Sequence, residues 1–357
     1  MAAPAVTRQP VGFDALPYWA DDDHFAAFEA LVAGAASVLR QAGLSPSLAA
    51  MYRAALGSRP LIGGAAAARS FFEAKFVPHR VVDDRSQGLL TGYYEPVLDG
   101  AVEPGGRFTV PLYRRPADLE NVVSEADRGA KSALGLTHVR RRSDGTSEPY
   151  ATRQDIETGA LDGQRLEFIW LEDPVDAFML HVQGSGAIRL PDGRMFRVTY
   201  DGKNGHPYTS VGRVMIDQGL FAAEELTLQT MTDWLKSHPE QARMLLWNNK
   251  SFVFFRPLDG DAPVGVLGSP LQTGRSLAVD TAFYGLGTPV FASSAEMTHV
   301  KPVGFHRLMI AHDVGSAIKG PERGDIYFGT GPEALTLAGV TKHPANLFAL
   351  VPREGAP

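Results

Sequence analysis

The chain has 357 residues, no cysteine and a formal net charge of -6, and these properties exclude several classes of protein. Without cysteine there is no disulfide, thiolate metal site or cysteine nucleophile, and the acidic balance argues against general nucleic-acid binding, which needs a basic stripe. The hydrophobic fraction of 44% is that of a soluble protein with a core, and the length favours two domains.

The N-terminus carries no recognisable targeting signal. The segment MAAPAVTRQPVGF lacks the charged-then-apolar layout of a signal peptide and has no cysteine for lipidation. No apolar run reaches the roughly 18 residues that a membrane-spanning helix needs. We therefore expect the sequence as given to be soluble, with any targeting segment removed before its first residue.

Helices are predicted in the first part of the chain. Asp21–Asp23 can cap a helix that Gly43 ends, and Ser45 followed by Pro46 opens a second one. A third is predicted near Ala65–Phe76 and is stopped by Pro78. The apolar stripes of these helices are expected to be core rather than a cofactor site.

From residue 87 onward the sequence has mainly the pattern of strands. The predicted strands are GLLTGYYEPVLDG, FTVPLYRRP, FMLHVQGSGAIRL, MFRVTYDG, SFVFFRPL, SLAVD, PVFAS, RLMIAHD, DIYFG and NLFALVP. Helices are predicted near Thr152–Thr158, Ser210–Asp217, Leu226–Lys236 and Glu240–Leu246. Because strands and helices do not alternate regularly, we expect a mainly β (α+β) protein with barrel-like parts rather than a doubly wound parallel sheet.

The most informative segment is AHDVGSAIKGPERGDIYFGTG, which holds Asp313 and Asp325 between strand-like runs and several glycines. Glycine lets the backbone turn tightly or lets a ligand approach. Asp and Gly also favour ordinary turns, but the whole segment, with Lys319 and Arg323 included, is more typical of the rim of an active site.

Two further segments suggest polar or aromatic surfaces. TGYYEP, from Thr91 to Pro96, combines two tyrosines with a hydroxyl and a carboxylate, a set that suits the apolar face and polar rim of a sugar. His181, Gln183 and Ser185 would alternate along one face of a strand, either lining a groove or facing solvent.

Other motifs carry little weight. Gly329-x-Gly331-x-x-Ala334 matches a short dinucleotide fingerprint but lacks the later acidic residue and the βαβ context. The histidines are scattered without a paired metal-binding spacing, so we expect no metal and no cofactor.

Taken together, six segments resemble the membrane-bound lytic murein transglycosylase A family, with a C-terminal three-aspartate (3D) domain, over roughly residues 87 to 340. They are TGYYEP, HVQGSGAIRLPDG, YDGKNGHPYTSVGRVMIDQG, NKSFVFFR, SLAVD and AHDVGSAIKGPERGDIYFGTGPEALTLAG. The resemblance implies a double-psi β-barrel formed by residues 1–97 and 227–357, a smaller β-barrel inserted at residues 98–226, and a groove that the two domains flank.

The resemblance also implies an activity. The substrate would be peptidoglycan glycan strands, cleaved without water at the β-1,4 bond between N-acetylmuramic acid and N-acetylglucosamine. The C6 hydroxyl of the muramic residue would attack C1 and form a 1,6-anhydro ring. One carboxyl group would serve first as acid and then as base.

The family pattern assigns this carboxyl to Asp325. Asp313 would raise the pKa of Asp325 or stabilise positive charge in the transition state, and Asp280 would have a supporting role. Lys319 is expected to point toward the substrate or Asp313. The expected substrate contacts are Thr91, Tyr93, Tyr94, Glu95, Gln183, Gly184, Ser185, Lys319 and Gly331.

Alternatives remain open from the sequence. A glycoside hydrolase could use Asp325 with Glu95 or Asp313 as a second carboxylate, and a module of this kind could bind wall glycans without cleaving them. An aspartic-protease-like dyad is disfavoured because Val314-Gly315 follows Asp313. The resemblance further implies a monomer in the periplasm, with outer-membrane association and cell-wall synthesis complexes left open.

Overall fold

The computed structural model describes residues 7–82, 88–123, 136–260, 262–315 and 317–353. The chain forms two compact units. The first unit comprises Met1–Tyr94, Val264–Gly329 and Val340–Pro357, and the second comprises Glu95–Pro263 and Thr330–Gly339.

The helices, in chain order, are α1 (His24–Leu39), α2 (Pro46–Ser58), α3 (Ala65–Lys75), α4 (Arg153–Asp155, continued by a π-helical turn over Ile156–Ala160), α5 (Pro174–Gln183), α6 (Val211–Asp217), α7 (Leu228–Ser237), α8 (Pro239–Leu246) and α9 (Pro332–Val340). Within the described ranges, no helix is both long and apolar enough to span a bilayer.

The strands, in chain order, are β1 (Thr7–Pro10), β2 (Phe76–Val82), β3 (Leu89–Glu95), β4 (Val97–Ala101), β5 (Val110–Tyr113), β6 (Leu119–Asn121), β7 (His138–Arg141), β8 (Ser147–Glu148), β9 (Glu167–Leu171), β10 (Ser185–Arg189), β11 (Met195–Lys203), β12 (Val253–Leu258), β13 (Ser276–Val279), β14 (Pro289–Ser294), β15 (Phe305–Asp313), β16 (Arg323–Thr330), β17 (Lys342–Pro344) and β18 (Asn346–Pro352).

The three predicted N-terminal helices are present, and the first two begin where their capping residues indicate. The Asp23 carboxylate accepts a hydrogen bond from the Ala26 N–H at 3.0 Å and caps α1, and the Ser45 hydroxyl accepts one from the Leu48 N–H at 3.2 Å and caps α2. These helices pack in one buried apolar cluster with strands β14, β15 and β18. Their aromatic stripes are therefore core.

The first unit is built on a nine-stranded sheet in the order β1-β2-β18-β14-β15-β13-β16-β3-β17. The short strand β13 pairs in parallel with β15 on one side and antiparallel with β16 on the other. No closed barrel is found among the described residues, so the predicted barrels are not confirmed, whereas the mainly β (α+β) class is.

The second unit contains a six-stranded sheet, β12-β11-β10-β4-β9-β5, and a three-stranded sheet, β6-β7-β8. Helix α5 packs its apolar side into the cluster that covers the six-stranded sheet. A further cluster joins α5, α6, α7 and α8.

The predicted domain boundaries can be set beside this division. The boundary after residue 97 lies close to the division at Tyr94 and Glu95, whereas the boundary at 226 and 227 falls inside the second unit. The reason is packing: Leu235 of α7 and Leu245 of α8 are buried against α5 and α6, so the chain does not return to the first unit before residue 264.

The predicted strand FMLHVQGSGAIRL is wrong in its first half. Residues Pro174–Gln183 form helix α5, and the strand begins only at Ser185. Asp173 caps the helix by accepting from the Val175 N–H at 2.7 Å, and Gly184 ends it in the left-handed conformation with φ of 79°. His181, Gln183 and Ser185 therefore do not alternate along one strand face.

Candidate active site

A register shift in the first unit brings the two aspartates of the glycine-rich segment to one face of the sheet. Ala278 of β13 lies opposite Asp313 of β15 and Asp325 of β16, after a bulge that leaves His312 as the extra residue. Residues opposite one another on adjacent strands point to the same face. The two aspartates are thus separated by two strand spacings, about 10 Å between their Cα atoms.

Asp325 is held in a partly buried position by a hydroxyl and a guanidinium. The Thr91 hydroxyl, on β3, donates a hydrogen bond to Oδ1 of Asp325. Nη2 of Arg323 donates to the Thr91 oxygen at 2.7 Å. Burial raises the pKa of Asp325, while the Thr91 hydrogen bond and the Arg323 charge oppose this rise. The net effect favours a protonated carboxyl more than water does.

Asp313 has different surroundings. Its Oδ1 accepts hydrogen bonds from the backbone N–H groups of Val314 at 2.9 Å and Val266 at 3.2 Å. Its Oδ2 accepts one from the Tyr93 hydroxyl at 3.0 Å. These donors stabilise the ionised form of a carboxyl group. Asp313 is therefore suited to act as a fixed negative charge.

Tyr93 is close to both aspartates and stays a donor. Burial first, and then the negative charges of Asp313 and Asp325, raise the pKa of Tyr93 well above its ordinary value. Its ring packs against that of Tyr327, with 5.3 Å between the centroids. The phenol thus positions Asp313, a role that the aromatic pattern of TGYYEP did not indicate.

Asp280, the third aspartate of the family pattern, organises a loop. It follows β13, and its carboxylate accepts from the backbone N–H of Gly320 at 2.9 Å and of Ala282 at 3.2 Å. Nζ of Lys319 lies 3.8 Å from Oδ1 of Asp280. Lys319 was expected to point toward the substrate or Asp313, and the structure instead pairs it loosely with Asp280.

Glu95 is a structural carboxylate of the second unit. Its side chain is 1% exposed and contacts Nε of Arg197 at 3.1 Å, and it accepts from the Thr330 hydroxyl at 2.7 Å. Its backbone carbonyl accepts from the Gly331 N–H at 2.9 Å. With both oxygens engaged in the interior, Glu95 is not placed to activate water or to contact a sugar.

The remaining predicted contacts lie in different elements of the two units. Tyr94 is 7% exposed, so its ring lies in the interior rather than on a surface where a sugar could stack. Gln183, Gly184 and Ser185 form the turn between α5 and β10 in the second unit. Gly331 precedes α9 with φ of 88°, a conformation that favours glycine.

His181 belongs to the interior of the second unit. It is 8% exposed, and its Nδ1 accepts a hydrogen bond from Nη2 of Arg153 at 3.0 Å. Arg153 also donates to the carbonyls of Asn249 at 3.1 Å and Ser251 at 2.8 Å. Burial, with the Arg153 charge second, lowers the pKa of His181 well below its ordinary value, so the neutral ring serves as an acceptor.

The sequence interpretation missed one residue of the site, Arg323. It was noted as part of the glycine-rich segment, but its link to Asp325 passes through Thr91, which lies 232 positions earlier in the chain. A sequence pattern that spans only a few residues cannot indicate a contact of this kind. For metals, the described residues contain no group of three or more His, Cys, Asp or Glu that could hold an ion.

Comparisons with known proteins match this chain over most of its length. Two family models match: the MltA specific insert domain at residues 89–256 and the 3D domain at residues 275–351. Membrane-bound lytic murein transglycosylase A of Escherichia coli K12 is 36% identical over 280 residues, which are 77% of this chain and 68% of that protein. The chain matches about two thirds of the length of such curated relatives.

The chain is also similar to solved structures. The membrane-bound lytic murein transglycosylase of Agrobacterium tumefaciens has 33% identity and a TM-score of 0.86, over 98% of this chain and 99% of that one. Escherichia coli MltA with bound chitohexaose has 28% identity and a TM-score of 0.70, over 98% and 95% of the two chains.

Proposed function

Because this chain belongs to the membrane-bound lytic murein transglycosylase A family, we propose that it is a lytic transglycosylase that acts on the glycan strands of peptidoglycan. It cleaves the β-1,4 bond between N-acetylmuramic acid and N-acetylglucosamine and leaves a 1,6-anhydro ring. The names of its relatives support the reaction, and the chitohexaose bound to Escherichia coli MltA supports a glycan substrate.

The observation that carries this proposal is the environment of Asp325. A general acid must hold its proton until the substrate is in place. Burial favours the protonated form of Asp325, and Thr91 fixes its orientation. In the first step, the proton passes from the carboxyl to the glycosidic oxygen, and the bond between C1 and this oxygen breaks.

In the second step, the same group takes a proton back. The Asp325 carboxylate accepts the proton of the muramic C6 hydroxyl, and the C6 oxygen forms its bond to C1. No water is consumed, and Asp325 ends protonated as it began. One carboxyl group therefore suffices, in contrast to the two that ordinary hydrolysis uses.

Asp313 is the proposed electrostatic partner. Positive charge develops at C1 and the ring oxygen when the glycosidic bond breaks. A negative charge that is already oriented stabilises such a transition state without reorganisation, and Tyr93 and two backbone N–H groups orient Asp313. We further propose that the turn Gln183–Ser185 and Gly331 supply substrate contacts.

The test is to identify the soluble products by mass spectrometry after incubation with peptidoglycan sacculi. We expect 1,6-anhydro-muropeptides from the wild type and at least about a hundredfold fewer from Asp325→Asn, which keeps the shape but cannot donate an acidic proton. Asp217→Asn is the matched control, because Asp217 is 56% exposed and paired only at the surface with Arg213.

Three outcomes would contradict the proposal. Products with reducing muramic ends would mean that water attacks C1, which requires a second carboxylate. Full activity of Asp325→Asn would remove the proposed acid. A wild type that binds sacculi and releases nothing would support a module that only binds glycans.

The remaining proposals concern fold and location. The resemblance and the 3D-domain match support a double-psi arrangement in the first unit, as does the parallel pairing of β13 with β15. A crystal structure with an open sheet would refute this. The membrane-bound relatives support a periplasmic location, and cell fractionation tests it.

A further inference from the structure

A chain of two hydrogen bonds leads from a half-buried cation to the proposed acid. Arg323 is half-buried on β16, and its guanidinium is held by the backbone carbonyls of Gly324 and Leu89. Its Nη2 donates to the Thr91 oxygen at 2.7 Å, and the Thr91 hydroxyl donates to Oδ1 of Asp325. The guanidinium is thus fixed independently of Asp325.

The order of donors in this chain is set by the chemistry of arginine. A guanidinium group has N–H donors and no acceptor, so the Thr91 oxygen must accept. A hydroxyl that accepts from a cation becomes a stronger donor and a weaker acceptor, because the two hydrogen bonds polarise one another. The single hydroxyl hydrogen of Thr91 is therefore directed at Oδ1 of Asp325.

We propose that Arg323 is a positioning residue that acts on Asp325 through Thr91: it directs the hydroxyl hydrogen at Oδ1 and so reserves Oδ2 for the proton that the acid delivers. The inference rests on the proposed role of Asp325 as acid and base. Arg323 itself does not touch the reacting atoms.

This arrangement defines the path of the proton. The Thr91 hydrogen is already directed at Oδ1, and a second hydrogen bonded to that oxygen would clash with it. The acidic proton therefore resides on Oδ2. The bond from Oδ2 to hydrogen breaks as the glycosidic oxygen is protonated. Oδ2 then takes the proton of the C6 hydroxyl. Oδ1 keeps the Thr91 hydrogen bond throughout, which fixes the plane of the carboxyl group.

The test follows the carboxyl group itself as well as the activity. The titration of Asp325 is measured by ¹³C NMR of protein labelled at aspartate side-chain carboxyls, and the signal is assigned by its loss in Asp325→Asn. Thr91→Val removes the hydroxyl at nearly constant volume, and Arg323→Met removes the cation. Because each change removes stabilisation of the carboxylate, the titration of Asp325 should move to higher pH in both variants.

The kinetic signature distinguishes positioning from packing. A general acid must be protonated, so the high-pH limit of activity should move upward together with the titration. At the optimum, kcat should fall about tenfold with little change in KM, because a misplaced acid slows the chemical step. In the Thr91→Val background, Arg323→Met should shift the titration less than in the wild type, because only the direct effect of the Arg323 charge on Asp325 then remains, and it should lower kcat little further.

Control variants keep the test informative. Thr91→Ser retains the hydroxyl, and its Asp325 titration should stay at the wild-type position. Arg307→Met removes another half-buried arginine of the same unit, which lies over the Phe305 ring, and should leave the titration in place. If Arg323→Met fails to fold, Arg323→Lys keeps the charge without the planar fork and should still shift the titration upward.

Separate results would overturn the two proposals. If Arg323→Met moves the titration as far in the Thr91→Val background as in the wild type, the charge acts through space and Thr91 transmits nothing. If no variant moves it, Arg323 does not position the acid. A wild type without anhydro products would refute the proposed reaction. The titrations would still test whether Arg323 acts on Asp325 through Thr91.

Discussion

Asp22→Ala is the substitution expected to destabilise the first unit most clearly. The side chains of Asp22 and Arg275 are 2% and 8% exposed. Two hydrogen bonds join them, at 2.8 Å from Nη1 to Oδ2 and at 2.9 Å from Nη2 to Oδ1. Oδ2 also accepts from the Leu308 backbone N–H at 2.8 Å. The pair ties the segment before α1 to strand β15.

The magnitude follows from what Asp22→Ala leaves behind. A buried guanidinium without its carboxylate costs about 3–5 kcal/mol. The Leu308 N–H, which loses its acceptor, costs about 1–3 kcal/mol. The two costs are not simply added, because the first range already includes part of the second. We expect a loss of about 4 kcal/mol in the free energy of unfolding of the first unit. Asp22→Leu combined with Arg275→Met should cost clearly less, because no buried charge remains.

The assay must report on the first unit alone, because two units can unfold separately. Hydrogen exchange followed by mass spectrometry in increasing urea does so through peptides from α1 and β15. Asp217→Ala breaks the exposed pair with Arg213 and should change stability by no more than about 1 kcal/mol. A cost of Asp22→Ala below about 1 kcal/mol, or an equal cost for the double variant, would refute the reasoning.

Two further predictions concern stability. Gly34→Ala places a Cβ 2.5 Å from Nε2 of the buried His312 and should cost about 1–3 kcal/mol of stability. Gly57→Ala in α2 places a Cβ that meets nothing within 4 Å and should stabilise the protein by up to about 1 kcal/mol. Thermal melting compares the two variants, and equal effects would refute the steric argument. Asp325→Asn should be more stable than the wild type near neutral pH. Burial raises the pKa of Asp325, so the stability that its protonation contributes is full below the unfolded pKa and is lost as pH rises through the folded one. Urea unfolding at several pH values would contradict this if the advantage of Asp325→Asn did not grow over that range.

Much of the local structure could be predicted from the sequence because the signals act over a few residues. Asp23, Ser45 and Pro46 mark the beginnings of α1 and α2 through capping geometry that depends only on their neighbours. Helix α5 carries equally local signals, Pro174 after Asp173 and Gly184 at its end. It was missed because the apolar run FMLHV has no clear period, and short apolar runs fit a helix or a strand equally well.

The geometry of the site could not be predicted in the same way. Asp313 and Asp325 share a face because His312 is an extra residue in the pairing of β15 with β13. A bulge shifts every later side chain to the opposite face. No residue type in RLMIAHD indicates that a bulge forms there. The partners of the aspartates, Tyr93 and Thr91, come from β3, more than two hundred residues earlier in the chain.

The proposed division of roles between the two aspartates is argued from their different surroundings on one sheet. Both flank Ala278, so the strand pairing alone does not distinguish them. Asp313 accepts hydrogen bonds from Tyr93 and two backbone N–H groups, which stabilise a carboxylate. For Asp325, burial is the largest influence and favours the neutral acid. Surroundings that favour opposite protonation states are what a reaction with one proton donor and one fixed negative charge requires, and this favours Asp325, rather than Asp313, as the donor.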